Sequence, residues 1–161
     1  MDREYIVAQR LRRNIWAIVD IEYVQCTRTH KCIRKLYILA NDGFTDMEME
    51  FYPCKLYEEL KKKYQHSFQF CFKHIHKLPY YPQECSTPCS TAMEKIRRFI
   101  MDNNIDLVLY KGGNVEKELC EELSIPSFNI EFFKGLIKSK SHDPRTEVNC
   151  YYEQLVQLGC F

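Results

Sequence analysis

The hydrophobic positions at the start of the chain fall into three short blocks separated by polar turns. Residues 14–23 contain a continuous apolar run at 15–19, which is typical of a central strand covered on both faces. Residues 31–40 predict a second strand, and the Asn-Asp-Gly sequence at 41–43 supplies a tight turn. Residues 44–52 alternate between apolar and acidic side chains, which predicts a third strand. The chain is therefore expected to open with three consecutive strands.

The rest of the chain predicts helices alternating with short strands. The predicted elements are a polar helix at 54–64 ending in three lysines, an irregular stretch at 67–90, an amphipathic helix at 91–103, a buried strand at 105–110, a helix at 114–123 capped by Asn114, a strand at 127–130 and a last helix beginning at Asp143 and Pro144. This order predicts an α/β fold: one domain over 1–161, with a three-strand antiparallel meander continued by strand, helix, strand and helix into a mixed sheet. A Cys/His-rich insert is expected at about 67–90.

Composition narrows the class of protein. The 161 residues are 45% hydrophobic and 14% aromatic, which excludes a disordered chain. No apolar run is long enough for a membrane span, so no membrane contact is expected. The net charge of +1 means that nucleic-acid binding would need a local basic patch. Nine cysteines without a secretory signal favour reduced thiols or a metal site in the cytoplasm or nucleus over a disulfide scaffold.

Two acidic motifs suggest chemistry. Asp20 and Glu22 end the first buried strand and should project to the same face, where two carboxylates repel each other unless a cation or proton compensates. Paired Mg²⁺ or Mn²⁺ ions of a phosphodiester nuclease would supply this compensation. His142 lies five residues before Glu147 at the start of the last helix, as a possible general base beside a metal ligand. The alternatives are a solvated strand end and a surface histidine.

A second metal site is suggested by thiols and imidazoles. Zinc takes Cys and His in tetrahedral sets of four. The candidate ligands are Cys71, His74, His76, Cys85 and Cys89 within one loop-like stretch, joined by His142 and Cys150. We expect a structural zinc built from this set. The alternative is buried free thiols and surface histidines.

Aromatic and basic side chains near these motifs suggest single-stranded RNA or DNA as the partner. Bases can stack on exposed rings while lysine contacts phosphate. The candidate nucleic-acid-binding residues are Lys73, Tyr80, Lys138, Lys140 and Arg145. Ordinary core aromatics and a solvated basic face are the alternative explanation.

The acidic motifs resemble those of the DEDDh 3′–5′ exonucleases of the ribonuclease-H-like superfamily. Asp20 and Glu22 match the Asp-x-Glu motif of that family, and His142 with Glu147 matches its late His and acid, with Glu in place of Asp. The resemblance implies a third acid on a middle helix, for which Glu116 or Glu118 is available. It also implies that Asp20, Glu22, Glu116 and Glu147 hold two Mg²⁺ or Mn²⁺ ions while His142 deprotonates the attacking water.

A second resemblance is to the Maelstrom domain, a ribonuclease-H-like relative with a Glu/His/Cys zinc constellation. It rests on His142 and Cys150, which bracket seven residues, and on the sequence His-Lys-Leu-Pro that begins at His76. This resemblance implies a structural zinc and a catalytically inactive adaptor for RNA or protein partners. The expected function is therefore a zinc-stabilised nucleic-acid-binding domain, with exonuclease activity and inactive adaptor as the two alternatives.

Overall fold

A computed structural model describes residues 2–161 of the chain. Five α-helices and five β-strands are present in these residues. The elements are α1 (Arg3–Leu11), β1 (Trp16–Gln25), β2 (Lys31–Ala40), β3 (Asp46–Glu50), α2 (Lys62–His74), α3 (Ala92–Asp102), β4 (Leu107–Tyr110), α4 (Asn114–Glu122), β5 (Ser127–Asn129) and α5 (Pro144–Gln157). None of the helices in this part of the chain is both long and apolar enough to cross a membrane.

The strands form one mixed sheet in the order β3-β2-β1-β4-β5. β1 pairs antiparallel with β2, and β2 with β3, whereas β4 runs parallel to both β1 and β5. The predicted α/β class with a mixed sheet and helices is thus confirmed. β1 is central because its apolar residues are covered on both sides, as its continuous hydrophobic run predicted.

Alternate residues of β1 build two hydrophobic cores. Ala17, Val19 and Ile21 pack with residues of α3 and α4 on one face. Trp16 and Ile18 pack with residues of α1 and α5 on the other. A third, smaller apolar cluster lies beyond the far end of β1 and includes Val24, Leu60, Phe68 and Tyr80.

Three local expectations were wrong. The lysines at 61–63 lie at the start of α2 and not at the end of a helix, so the expected irregular stretch from 67 begins inside a helix. Burial of Phe68 against the third cluster stabilises α2 there. Residues 3–11, for which no element was predicted, form α1 because Ala8 and Leu11 are buried on one face. The N-cap of α4 is Gly113, and Asn114 is already helical.

Candidate active site and cysteine cluster

Asp20 and Glu22 lie on the same face of β1 as Trp16 and Ile18. This face packs against α1 and α5. Asp20 lies opposite Tyr37 of β2, and Glu22 lies opposite Lys35. The pairing register shifts directly after Glu22, between it and Tyr23, which is the signature of a β-bulge. Both carboxylates therefore lie where the apolar part of the sheet face ends.

Glu147 reaches the same place from the first turn of α5. The Asp143 side chain caps this helix by accepting a hydrogen bond from the Thr146 amide at 3.2 Å, and Pro144 occupies the first turn. Glu147 donates its own amide to the Asp143 carbonyl at 2.9 Å. One carboxylate oxygen from each of Asp20, Glu22 and Glu147 lies within 4.8 Å of the other two. The structure thus brings together three of the predicted acids.

Glu116 approaches this group from the start of α4, although its carboxylate is not among those within 4.8 Å of one another. Its side chain is buried, and its Oε1 accepts a hydrogen bond from the backbone amide of Ile21 at 3.1 Å, between the two acids of β1. A Cβ on Gly113 would lie 2.6 Å from Glu116 Oε2, and Gly113 has φ of +73°. Only glycine fits this combination. Glu118, the other candidate for the middle acid, is exposed.

The carboxyl groups of this site are held in an environment that disfavours their charge. Burial, followed by the hydrogen bond and charge of Glu147, raises the pKa of Asp20 to about 11. Burial, followed by the charges of Glu147 and Glu116, raises the pKa of Glu22 to about 8. Burial also raises the pKa of Glu116 to about 7, although its hydrogen bonds to backbone amides oppose this.

Asp20 Oδ2 is buried without a hydrogen-bond donor. Asp20 and Glu147 can share a hydrogen bond only if one of the two carries a proton. An unpartnered buried carboxylate oxygen among other acids is the arrangement that a divalent cation would complete. The residues present therefore fit Mg²⁺ or Mn²⁺.

His142 lies in the exposed segment just before α5. It is close enough to His76 to contribute, after burial and Arg34, to the lowered pKa of that imidazole. The next residue, Asp143, forms an ion pair with Lys35 of β2 at 2.9 Å. This pair fixes the start of α5, and with it the segment that carries His142, against the sheet.

The basic candidates lie in different surroundings. Lys138 lines a small recess together with Asp20, Lys111 and Glu147. Lys73 and Lys140 are exposed, and Arg145 lies over the Tyr37 ring and 3.9 Å from Glu48. Tyr80 is buried and donates its hydroxyl to the Lys55 carbonyl at 2.7 Å, so its ring is not exposed for base stacking.

A cavity of about 390 Å³ opens beside Glu22. Its lining includes Tyr23, Tyr64, Cys71 and His76. The charge of Glu22 contributes, after burial, to the raised pKa of the Cys71 thiol. Two residues expected to bind zinc therefore lie in the wall of a cavity next to the acidic site.

The other expected zinc ligands are dispersed. His74 packs on Phe70 at the end of α2, with 4.8 Å between ring centroids. Cys85 donates its thiol to the Glu50 carbonyl at 3.0 Å, and Cys150 on α5 contacts the Gln154 amide at 3.5 Å. In residues 2–161, no three of the expected ligands Cys71, His74, His76, Cys85, Cys89, His142 and Cys150 bring ligand atoms within 4.8 Å of one another.

Cysteines converge elsewhere, largely outside the expected ligand set. Cys26 Sγ lies 2.8 Å from Cys32 Sγ, which lies 2.7 Å from Cys54 Sγ. Cys89 lines the same cavity as Cys32 and Cys54. Cys26, Cys32 and Cys54 bring their sulfurs close enough together to hold a metal ion. We call these three and the nearby Cys89 the cysteine cluster. Sequence reasoning included only Cys89, although the spacing of Cys26 and Cys32 around a turn was a usable signal.

Comparison with known proteins adds nothing to the sites described above. Neither a scan of protein-family models nor a search of curated proteins finds a match to the chain.

Proposed function

We propose that this protein is a ribonuclease-H-like, metal-dependent 3′–5′ exonuclease that acts on single-stranded RNA or DNA. The observation that carries the proposal is the convergence of Asp20, Glu22 and Glu147 within 4.8 Å, with an unpartnered buried oxygen on Asp20. Glu116 adds a fourth acid through its hydrogen bond to the amide of Ile21. The strand order and the parallel β1–β4 and β4–β5 pairs are compatible with this class of fold.

In this proposal Asp20, Glu22, Glu116 and Glu147 hold Mg²⁺ or Mn²⁺, which would supply charge neutralisation and Lewis acidity at the phosphate. Lys111 and Lys138 beside Asp20 attract the phosphate backbone. The cavity beside Glu22 offers Tyr23 and Tyr64 to the sugar and base of the terminal nucleotide. His142 accepts the proton of the attacking water, and cleavage of the P–O3′ bond releases a nucleoside 5′-monophosphate.

The site is also the reason for preferring an enzyme to an inactive adaptor. Burial and neighbouring acids raise the pKa values of Asp20, Glu22 and Glu116, which reduces folding stability when no cation is bound. A domain that only binds protein or RNA has no use for acids that lower its stability in this way. The Maelstrom-like adaptor therefore remains the alternative that the activity test decides.

The test uses single-stranded RNA and DNA oligonucleotides labelled at the 5′ end and incubated with Mn²⁺ or Mg²⁺. We expect a ladder of products shortened from the 3′ end, and at least ~100-fold slower cleavage by Asp20→Asn, because metals at such sites contribute several kcal/mol. Glu116→Gln should also be slow, whereas Glu118→Gln, changed at the exposed acid of the same helix, should cleave normally. Binding without cleavage by the wild type would establish the adaptor instead.

A further inference from the structure

The cysteine cluster joins three segments that are distant in sequence. Cys26 and Cys32 flank the turn between β1 and β2, where the Cys26 amide donates to the His30 carbonyl at 3.0 Å. Cys54 follows β3, and Cys89 precedes α3. None of the four is in a disulfide. We propose that these four cysteines bind one zinc ion as a tetrathiolate site that is separate from the acidic site.

Backbone hydrogen bonds hold the ligand segments together without help from a metal. The Tyr52 amide donates to the Thr87 carbonyl at 2.7 Å, and the Cys89 amide donates to the Tyr52 carbonyl at 3.0 Å. These bonds align the Cys54 and Cys89 segments beside the β1–β2 turn. The site is therefore largely preformed, and little chain entropy is lost when an ion binds.

The sulfur positions favour a shared ion over disulfide bonds. Cys32 has close sulfur neighbours on both sides, at 2.8 Å and 2.7 Å, and Cys89 lines the same cavity. A disulfide needs about 2.05 Å and uses only one partner, so it would leave two thiols of the cluster unpaired or require a second bridge. Zn–S bonds of about 2.3 Å place tetrahedral sulfurs about 3.8 Å apart. The ion fits between the sulfurs once the distance within each close sulfur pair has increased by about 1 Å.

The donor set and its surroundings select the metal. Four thiolates without an oxygen ligand suit zinc and not the magnesium or manganese proposed for the acids. A zinc tetrathiolate carries a net charge of −2, and Arg28, His30 and Lys31 line the cavity next to Cys32, Cys54 and Cys89. Glu118 and Glu122 line the same cavity, so the basic residues offset only part of the negative charge there.

The proposed ion has a structural role. Between β3 and α3 the chain contains α2 but little other regular structure, and the apolar cluster around Phe68 and Tyr80 is small. A zinc ion that joins this region to the β1–β2 turn would supply stability that so small a core cannot. The same region contributes Tyr64, Cys71 and His76 to the cavity beside Glu22, so the ion would keep that wall in place.

The test measures bound metal directly, independently of nuclease activity. Protein purified under reducing conditions is analysed for zinc and is reconstituted with Co²⁺, whose absorption spectrum reports the number of thiolate ligands. We expect about one zinc per chain and a tetrahedral tetrathiolate cobalt spectrum. Cys32→Ser should lose the ion, and Cys150→Ser, which changes a cysteine on α5 outside the cluster, should retain it.

Cys54→His is the second variant, in case Cys32→Ser does not fold. It keeps a zinc ligand, so it should retain the ion while the cobalt spectrum changes to that of a three-thiolate, one-imidazole site. The proposal is overturned if reduced wild-type protein supplied with Zn²⁺ binds none. It is equally overturned if a disulfide within the cluster persists in the reduced protein, or if Cys150→Ser loses the ion as Cys32→Ser does.

Discussion

Asp20 is the residue at which the cost of the acidic site is concentrated. The pKa of its carboxyl group is raised to about 11, chiefly by burial and then by Glu147. Its Oδ2 accepts no hydrogen bond. An asparagine amide at this position can donate to Glu147 and carries no charge. At neutral pH, Asp20 donates this bond only by keeping a proton that the unfolded chain releases, and asparagine removes that cost. We therefore expect Asp20→Asn to raise the free energy of unfolding by up to about 4 kcal/mol at pH 7, at about 1.4 kcal/mol per pH unit.

The measurement is urea unfolding at neutral pH without added Mg²⁺ or Mn²⁺, compared with the cleavage assay on the same protein. Stabilisation accompanied by loss of activity is the signature of a residue kept for function at the expense of stability. A destabilised Asp20→Asn protein would show that the carboxyl group has a structural role instead.

Gly113 positions a functional acid without touching substrate itself. An alanine here would place its Cβ 2.6 Å from Glu116 Oε2 at a φ of +73°. Gly113→Ala should lower the free energy of unfolding by about 1–3 kcal/mol through backbone strain and should weaken Mn²⁺ binding, because Glu116 must move. The matched control is Gly135→Ala, since a Cβ on Gly135 has no neighbour within 4 Å. Equal Mn²⁺ affinity in the two variants, measured by calorimetry, would contradict the positioning role.

At the scale of elements, the start of α5 links the sheet to the site. Asp143 caps the helix and pairs with Lys35, and Glu147 follows one turn later. Asp143→Ala should cost about 1 kcal/mol of stability through loss of the cap. Asp143→Asn keeps a capping side chain and loses only the ion pair with Lys35, so thermal unfolding should separate the two variants. If both unfold at the same temperature, the cap does not stabilise α5.

The elements also show which features are readable from sequence. β2 was predicted over its observed range, Lys31–Ala40, and the Asp-Pro start of α5 was correct, because both depend on local patterns. α2 was misplaced because its three lysines lie at the helix end that the dipole disfavours, and packing of Phe68 overrides this preference. Asp20, Glu22 and Glu147 were grouped through the resemblance to the DEDDh exonucleases, although Asp20 lies in the middle of β1 and not at the strand end expected for it.

The cysteines illustrate the opposite case. Cys26, Cys54 and Cys89 come together only after β1, β2 and β3 have paired and the segments around Tyr52 and Thr87 have joined. Proximity in sequence favoured the stretch from Cys71 to Cys89 instead. Long-range pairing of irregular segments leaves no periodic signal in the sequence, so only the Cys26 and Cys32 pair around its turn could have been found from sequence, and not its association with Cys54 and Cys89.

At the scale of the whole molecule, the two candidate sites lie at different places along the same strand. Asp20 and Glu22 lie near the middle of β1, where the start of α4 and the start of α5 converge from opposite faces of the sheet. The cysteine cluster begins at Cys26, directly after β1 ends. Under the two proposals, one metal would stabilise the fold while the other would serve catalysis.

The acids make the stability of the whole protein depend on pH and on divalent cations. The pKa values of Glu116, Glu22 and Asp20 are raised to about 7, 8 and 11, above the unfolded values near 4, so the folded state binds more protons in between. Without added Mg²⁺ or Mn²⁺, the free energy of unfolding should therefore fall as pH rises from about 5 to about 9, by up to ~1.4 kcal/mol per pH unit for each group.

Saturating Mg²⁺ or Mn²⁺ should flatten this slope, because bound cations stabilise the deprotonated acids. Urea titrations across this range test the prediction, with Glu118→Gln as the control that keeps the wild-type slope, and an identical slope with and without the cation would refute a metal site at these carboxylates.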